Sequence, residues 1–146
     1  MDMQRLIKVA VLAALFAVPA AHAAPVVPSG DFSRLSTEYA GWAGSRANAD
    51  ALVGGMRSGT SVTLVTSEPG RSVSLAGFTP AGAMTYGEVR AALSSARRTL
   101  ARLGIAHPTA EQIQAALIGG DVTLGDGSSR PIVGVIAPRG APVALR

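Results

Sequence analysis

The chain has 146 residues, with 13 Lys and Arg against 9 Asp and Glu for a net charge of +4, 2 His and no Cys. That length allows one ordinary domain with a single core. The absence of Cys excludes a disulfide framework, a Cys-ligated zinc site and lipid attachment at a cleavage-point Cys. A modest positive charge spread along the chain is not the concentrated basic footprint of a nucleic-acid binder.

The N-terminus carries an address. Arg5 and Lys8 make a positive start, and residues 9–18 are an unbroken apolar run too short to span a bilayer comfortably. Pro19 follows, then Ala21-His22-Ala23, a small-x-small cleavage pattern. The pattern predicts a signal peptide over residues 1–23 with cleavage after Ala23. The product is expected in the periplasm or secreted, with no integral membrane span after cleavage. Every basic residue beyond the cleavage point is Arg. Residues 24–30 contain two prolines and read as a flexible leader.

Asp31 is the predicted cap of a first helix. Phe32, Leu35, Tyr39 and Trp42 step by three, four and three, which places them on one helical face. Such a stripe either docks on the core or stays exposed as an aromatic strip that stacks on sugar rings or a partner. Ser45 reads as the next N-cap, followed by the stripe Ala49, Leu52, Val53 and Met56 and a stop at Gly59. Gly54-Gly55 within that helix costs about 1 kcal/mol per Gly relative to Ala, which predicts close approach of a neighbouring backbone. Gly54 and Gly59-Thr60-Ser61 are spaced as in a phosphate loop. Thr60 stands where Lys is required, however, and the helix precedes the strand, so the match to a phosphate loop fails.

Residues 61–66 and 72–78 alternate as a β-hairpin around Pro69-Gly70, a type II turn signal. The next stretch organises the fold. Thr85 and Glu88 form a capping box, and Val89, Ala92, Leu93, Ala96, Leu100 and Leu103 recur at helical spacing. The other side carries Arg90, Ser94, Arg97, Arg98 and Arg102, and Gly104 ends the helix. Residues 105–108 form a corner with Ile105 between the helices. Thr109 and Gln112 open a second helix whose stripe is Ile113, Ala116 and Leu117, stopped by Gly119-Gly120. Residues 122–124 and 132–136 are predicted as a hairpin around Asp126-Gly127, and residues 137–146 as a flexible tail. The expectation is a single α+β domain over residues 31–136, in the order α-α-β-β-α-α-β-β, with helices packed on antiparallel hairpins.

Two segments carry a resemblance. One is Ala43-Gly44-Ser45, Asn48-Ala49, Leu52-Val53, Gly55, Arg57 and Gly59. The other runs from Met84, Tyr86-Gly87 and Val89 through Gly104-Ile105, Pro108-Thr109 and Glu111-Gln112 to Gly119-Gly120. Over roughly residues 40–135 the chain resembles a family of exported proteobacterial proteins of unknown function. The resemblance implies export and one domain. It implies no activity and no catalytic residue.

After cleavage one His remains, His107, in the interhelical corner. One His without Cys cannot build a two-His metal site, and no G-x-S-x-G elbow accompanies it. Glu88 serves a cap, and Glu111 suits a helix start. Asp121 and Asp126 read as turn residues, without the spacing of a calcium loop. The Thr109 helix followed by a hairpin has the outline of a winged helix, but its outer positions Ala110, Glu111, Gln112 and Gln114 hold no cation for DNA. No catalytic, cofactor-binding or metal-binding residue is assigned, and no cofactor or nucleic-acid partner is expected. The candidate binding surface is Tyr39, Trp42, Tyr86, Arg90 and Arg97. The expected function is that of a small exported envelope protein acting by binding or scaffolding, its partner an anionic envelope component or another envelope protein. The alternative is a cell-envelope hydrolase with a Ser or carboxylate site.

Overall fold

The computed structural model describes residues 29–67, 70 and 73–140. The predicted signal peptide, residues 24–28 of the leader and residues 141–146 lie outside the described residues. Helix α1 (Gly30–Ala43) starts at Ser29, whose hydroxyl accepts from the Phe32 N–H at 3.2 Å. The cap is therefore Ser29 and not Asp31. Asp31 falls inside the first turn, where its charge still suits the positive end of the helix. Leu35, Tyr39 and Trp42 are buried along one stripe, and Phe32 packs half-buried beside them. Gly44, at φ 89°, ends the helix.

Helix α2 (Arg46–Ser58) follows at once, capped by Ser45, whose hydroxyl accepts from the Asn48 N–H at 3.1 Å. Ala49, Leu52, Val53 and Met56 are fully buried. Gly55 is required by what lies against it. A Cβ there would sit 2.4 Å from Val62 Cγ2 and 3.3 Å from the Thr60 carbonyl oxygen. The chain turns at Gly59, φ 69°, and lays its first strand against α2.

Strands β1 (Val62–Thr66) and β2 (Ser74–Phe78) pair antiparallel, from Val62 opposite Phe78 to Thr66 opposite Ser74. Period-two alternation sends Val62, Leu64, Ala76 and Phe78 into the core. Val65 and Leu75 face outward. Of the predicted turn, Gly70 is described and has φ 79°, as the third position of a type II turn requires.

Helix α3 (Tyr86–Arg102) has both arms of its capping box. Thr85 Oγ1 accepts from the Glu88 N–H at 3.2 Å, and the Glu88 carboxylate accepts from the Thr85 N–H at 2.7 Å. Val89, Ala92, Leu93, Ala96 and Leu100 are buried. At the far end the Ile105 N–H donates to the Leu100 carbonyl at 2.9 Å, with Gly104 at φ 80°. Helix α4 (Ala110–Ile118) repeats the capping box with Thr109 and Gln112. Ile105 is half-buried against the core between them.

The last hairpin departs from expectation. Strands β3 (Gly120–Thr123) and β4 (Ser129–Ile132) pair antiparallel, so β4 ends where a strand was predicted to begin. Residues 133–136 instead close the end of α4. The Val135 and Ile136 N–H groups both donate to the Leu117 carbonyl at 2.8 Å. Gly134 passes so close that a Cβ would lie 2.2 Å from the Ile118 carbonyl carbon. Nor is the chain loose from residue 137. The Ala81 N–H donates to the Ala137 carbonyl at 3.0 Å and the Arg139 N–H to the Thr79 carbonyl at 2.7 Å.

The architecture is α+β in the predicted order, with two separate two-stranded sheets. One cluster of buried side chains draws on all four helices and on β1, β2 and β3. Among the described residues no helix is long and apolar enough to cross a membrane.

Candidate functional site

Helices α1 and α3 run in the same direction and leave a groove at each end of their shared seam. The first groove, about 230 Å³, is lined by Asp31, Arg34 and Leu35 of α1 and by Tyr86, Gly87 and Arg90 of α3. Tyr86 is held on two sides. Its hydroxyl accepts from Ser29 Oγ at 2.7 Å, and the Arg57 guanidinium lies 4.3 Å from its ring centroid. Arg57 is itself fixed by donating from Nη1 to the Met84 carbonyl at 2.6 Å. Arg90 approaches Glu38 at 3.8 Å with both side chains well solvated, so the pair is weak and Arg90 stays available.

The second groove, about 380 Å³, has an apolar floor of Gly41, Trp42, Ala101, Ile105 and Ala106. Arg97, Arg98 and His107 form its rim. No carboxylate lines it. Arg90 and Arg97 are two helical turns apart, about 10 Å along the axis, so the grooves lie on one line.

Tyr39 sits under the seam between the grooves. The Arg97 guanidinium lies 4.9 Å from its ring centroid, and Trp42 meets it edge-on at 6.0 Å. Desolvation by burial pushes the Tyr39 phenol above its ordinary pKa of 10.0, and the neighbouring Arg97 charge offsets part of that rise.

The five predicted residues thus divide. Tyr86 and Arg90 meet at one groove, and Trp42 and Arg97 at the other. Tyr39 is 1% exposed and Trp42 7%, so the aromatic stripe belongs to the core and forms no open stacking strip. The physical reason is area: large rings on an inward stripe gain most by burial. The seam adds Arg34, Gly41, Gly87 and Arg98, which sequence reasoning did not assign to a site. Arg98 had been read on the face opposite the apolar stripe, and the incoming 105–107 corner gives it a wall to work with. A signal for Gly41 existed, since a helical glycine without a packing reason is unusual.

The acids lie elsewhere. Glu111 and Asp121 share an open groove with Thr109, Gln112 and Thr123. Glu111 accepts from Ser74 Oγ. Asp126 turns back on its own loop, accepting from Ser128 Oγ at 2.5 Å and the Ser128 N–H at 2.9 Å. Those bonds hold its carboxyl below the usual range. His107 is exposed. Among the described residues no three His, Cys, Asp or Glu side chains gather in a metal-sized group. No protein-family model matches the chain, and no curated protein or solved structure shows significant similarity to it.

Proposed function

We propose that this is an exported envelope protein that works by binding, and that the α1/α3 seam takes an elongated anionic ligand. The observation that carries the reading is that four arginines line the seam, Arg34 and Arg90 at one groove and Arg97 and Arg98 at the other. That arrangement favours a polyanion that spans both grooves, and among the described residues the acidic neighbours named along the seam are Asp31 and Glu38. The charged and apolar N-terminal pattern and the Ala21-His22-Ala23 site support export.

Retention on immobilised heparin, with neutral dextran as control, tests the reading. Affinity should fall steeply as salt rises, because exposed charges are screened beyond about 10 Å at 0.1 M. The double change Arg34→Gln/Arg90→Gln should weaken retention and flatten its salt dependence. Retention indifferent to salt or to those substitutions would overturn the assignment. So would turnover of peptidoglycan or ester substrates that Asp121→Asn abolishes, since the working groove would then be the acidic one.

A further inference from the structure

The second groove is chemically unlike the first. Its floor is apolar and made mostly of small residues, and its rim is cationic. Among the described residues neither Arg97 nor Arg98 is ion-paired. A guanidinium beside apolar surface can hold an anionic head while the apolar surface takes the rest of the ligand.

Gly41 provides a second, independent observation. The glycines at 55, 59 and 134 are explained by their neighbours, because a Cβ on any of them would strike Val62, Ala83 or Ile118. Gly41 is exposed on α1, and a Cβ built there meets nothing within 4 Å. Glycine inside a helix costs about 1 kcal/mol relative to Ala, and no contact among the described residues requires it at position 41. The space a side chain would take is the floor of the groove. Glycine at such a place lets a ligand approach the helix backbone closely.

The volume lies at the low end for small-molecule sites. Gly41, Ala101 and Ala106 make an open trough, and a trough suits a flexible chain lying flat better than a ring that needs walls on both faces. We propose that this groove seats the acyl chain of an amphipathic anion, whose carboxylate or phosphate head bonds Arg97 and Arg98. The proposal rests on the anionic reading of the seam and adds an apolar body to the ligand.

Trp42 is the chain's only Trp and lines the groove, so its fluorescence reports occupancy. The protein is titrated with decanoate and with decyl phosphate below their micelle thresholds, and in parallel with decanol, acetate and heparin. Either decyl anion should change the emission saturably, and whichever binds more tightly separates a fatty-acid from a phosphate-headed source. Decanol and acetate should not do so at the same concentrations. Arg97→Gln/Arg98→Gln should weaken binding about a hundredfold or more, because two charge-assisted contacts are lost at about tenfold or more each. Gly41→Leu should abolish it by filling the floor. Ala101→Phe, from the other wall, serves the same purpose if Gly41→Leu perturbs how α1 packs. Heparin binding without any decyl-anion response would overturn the acyl proposal and leave the anionic seam standing. Equal binding of decanol, or a response that survives both filling substitutions, would also overturn it. Failure of heparin and the decyl anions alike would remove both readings.

Discussion

Asn48 is 4% exposed, and its amide is fully engaged. Its oxygen accepts from the Val65 N–H at 2.9 Å, and its nitrogen donates to the Val65 and Ala43 carbonyls at 2.8 Å each. One side chain thus completes the outer edge of β1 and ties it to the α1/α2 corner. Asn48→Ala should cost about 1–3 kcal/mol in chemical denaturation, because the Val65 and Ala43 backbone groups lose their partner. A loss within error of zero would mean that water replaces the amide. Nothing in the sequence marked Asn48 for this. It sits at a polar position beside an apolar stripe, and its partner is 17 residues away. The glycines offer a contrast of sign at the same scale. Gly41→Ala should raise stability by about 0.5–1 kcal/mol, since it relieves helical entropy without a clash. Gly134→Ala should lower it by about 3 kcal/mol or more, because the Ile118 backbone cannot move aside. Thermal unfolding of the two variants decides both, and equal effects would contradict the packing described.

Element by element, the helices were the legible part, because each announces itself within a few residues. Cap, stripe and stop coincide in α2, α3 and α4, and the structure places each start at the predicted Ser or Thr. Thr85→Ala should destabilise by about 1 kcal/mol. Glu88 adds a pH dependence. The Thr85 N–H, then the Thr85 hydroxyl, hold its carboxyl below the ordinary 4.5. A lowered folded pKa means that the contribution is complete above about pH 4.5, where the unfolded chain is ionised, and is lost as pH falls through the folded value. Melting temperatures from pH 6 down to about 3 should therefore fall in wild type, and fall less in Glu88→Gln, which keeps the cap without the titration. Identical acid profiles would remove Glu88 from the account. Strand β4 was not legible for a physical reason. Residues 132–136 have an apolar pattern fit for a strand, yet the Leu117 carbonyl at the end of α4 captures two of their N–H groups. That competition is tertiary and leaves no local mark.

For the molecule as a whole, the core stripe and the surface row come from the same helices. Leu35, Tyr39 and Trp42 on α1 and Val89, Leu93, Ala96 and Leu100 on α3 bury one side. The residues flanking those stripes then meet along the seam. The cationic half of the site was visible in the sequence, because Arg90 and Arg97 stand seven residues apart, two turns along one face of the same helix. The grooves were not visible, since they depend on how α1 lies on α3 and on where the 105–107 corner folds back. The aromatic half was visible as a pattern whose destination only packing decides, and packing buries it.

The most direct test of the seam as the binding surface is amide chemical-shift mapping by NMR during a titration with heparin. The largest shifts should line α1 and α3 at Arg34, Gly41, Gly87, Arg90, Arg97 and Arg98, and shrink with added salt. Shifts centred instead on Glu111, Asp121 and Thr123, or no shifts at low salt, would contradict it.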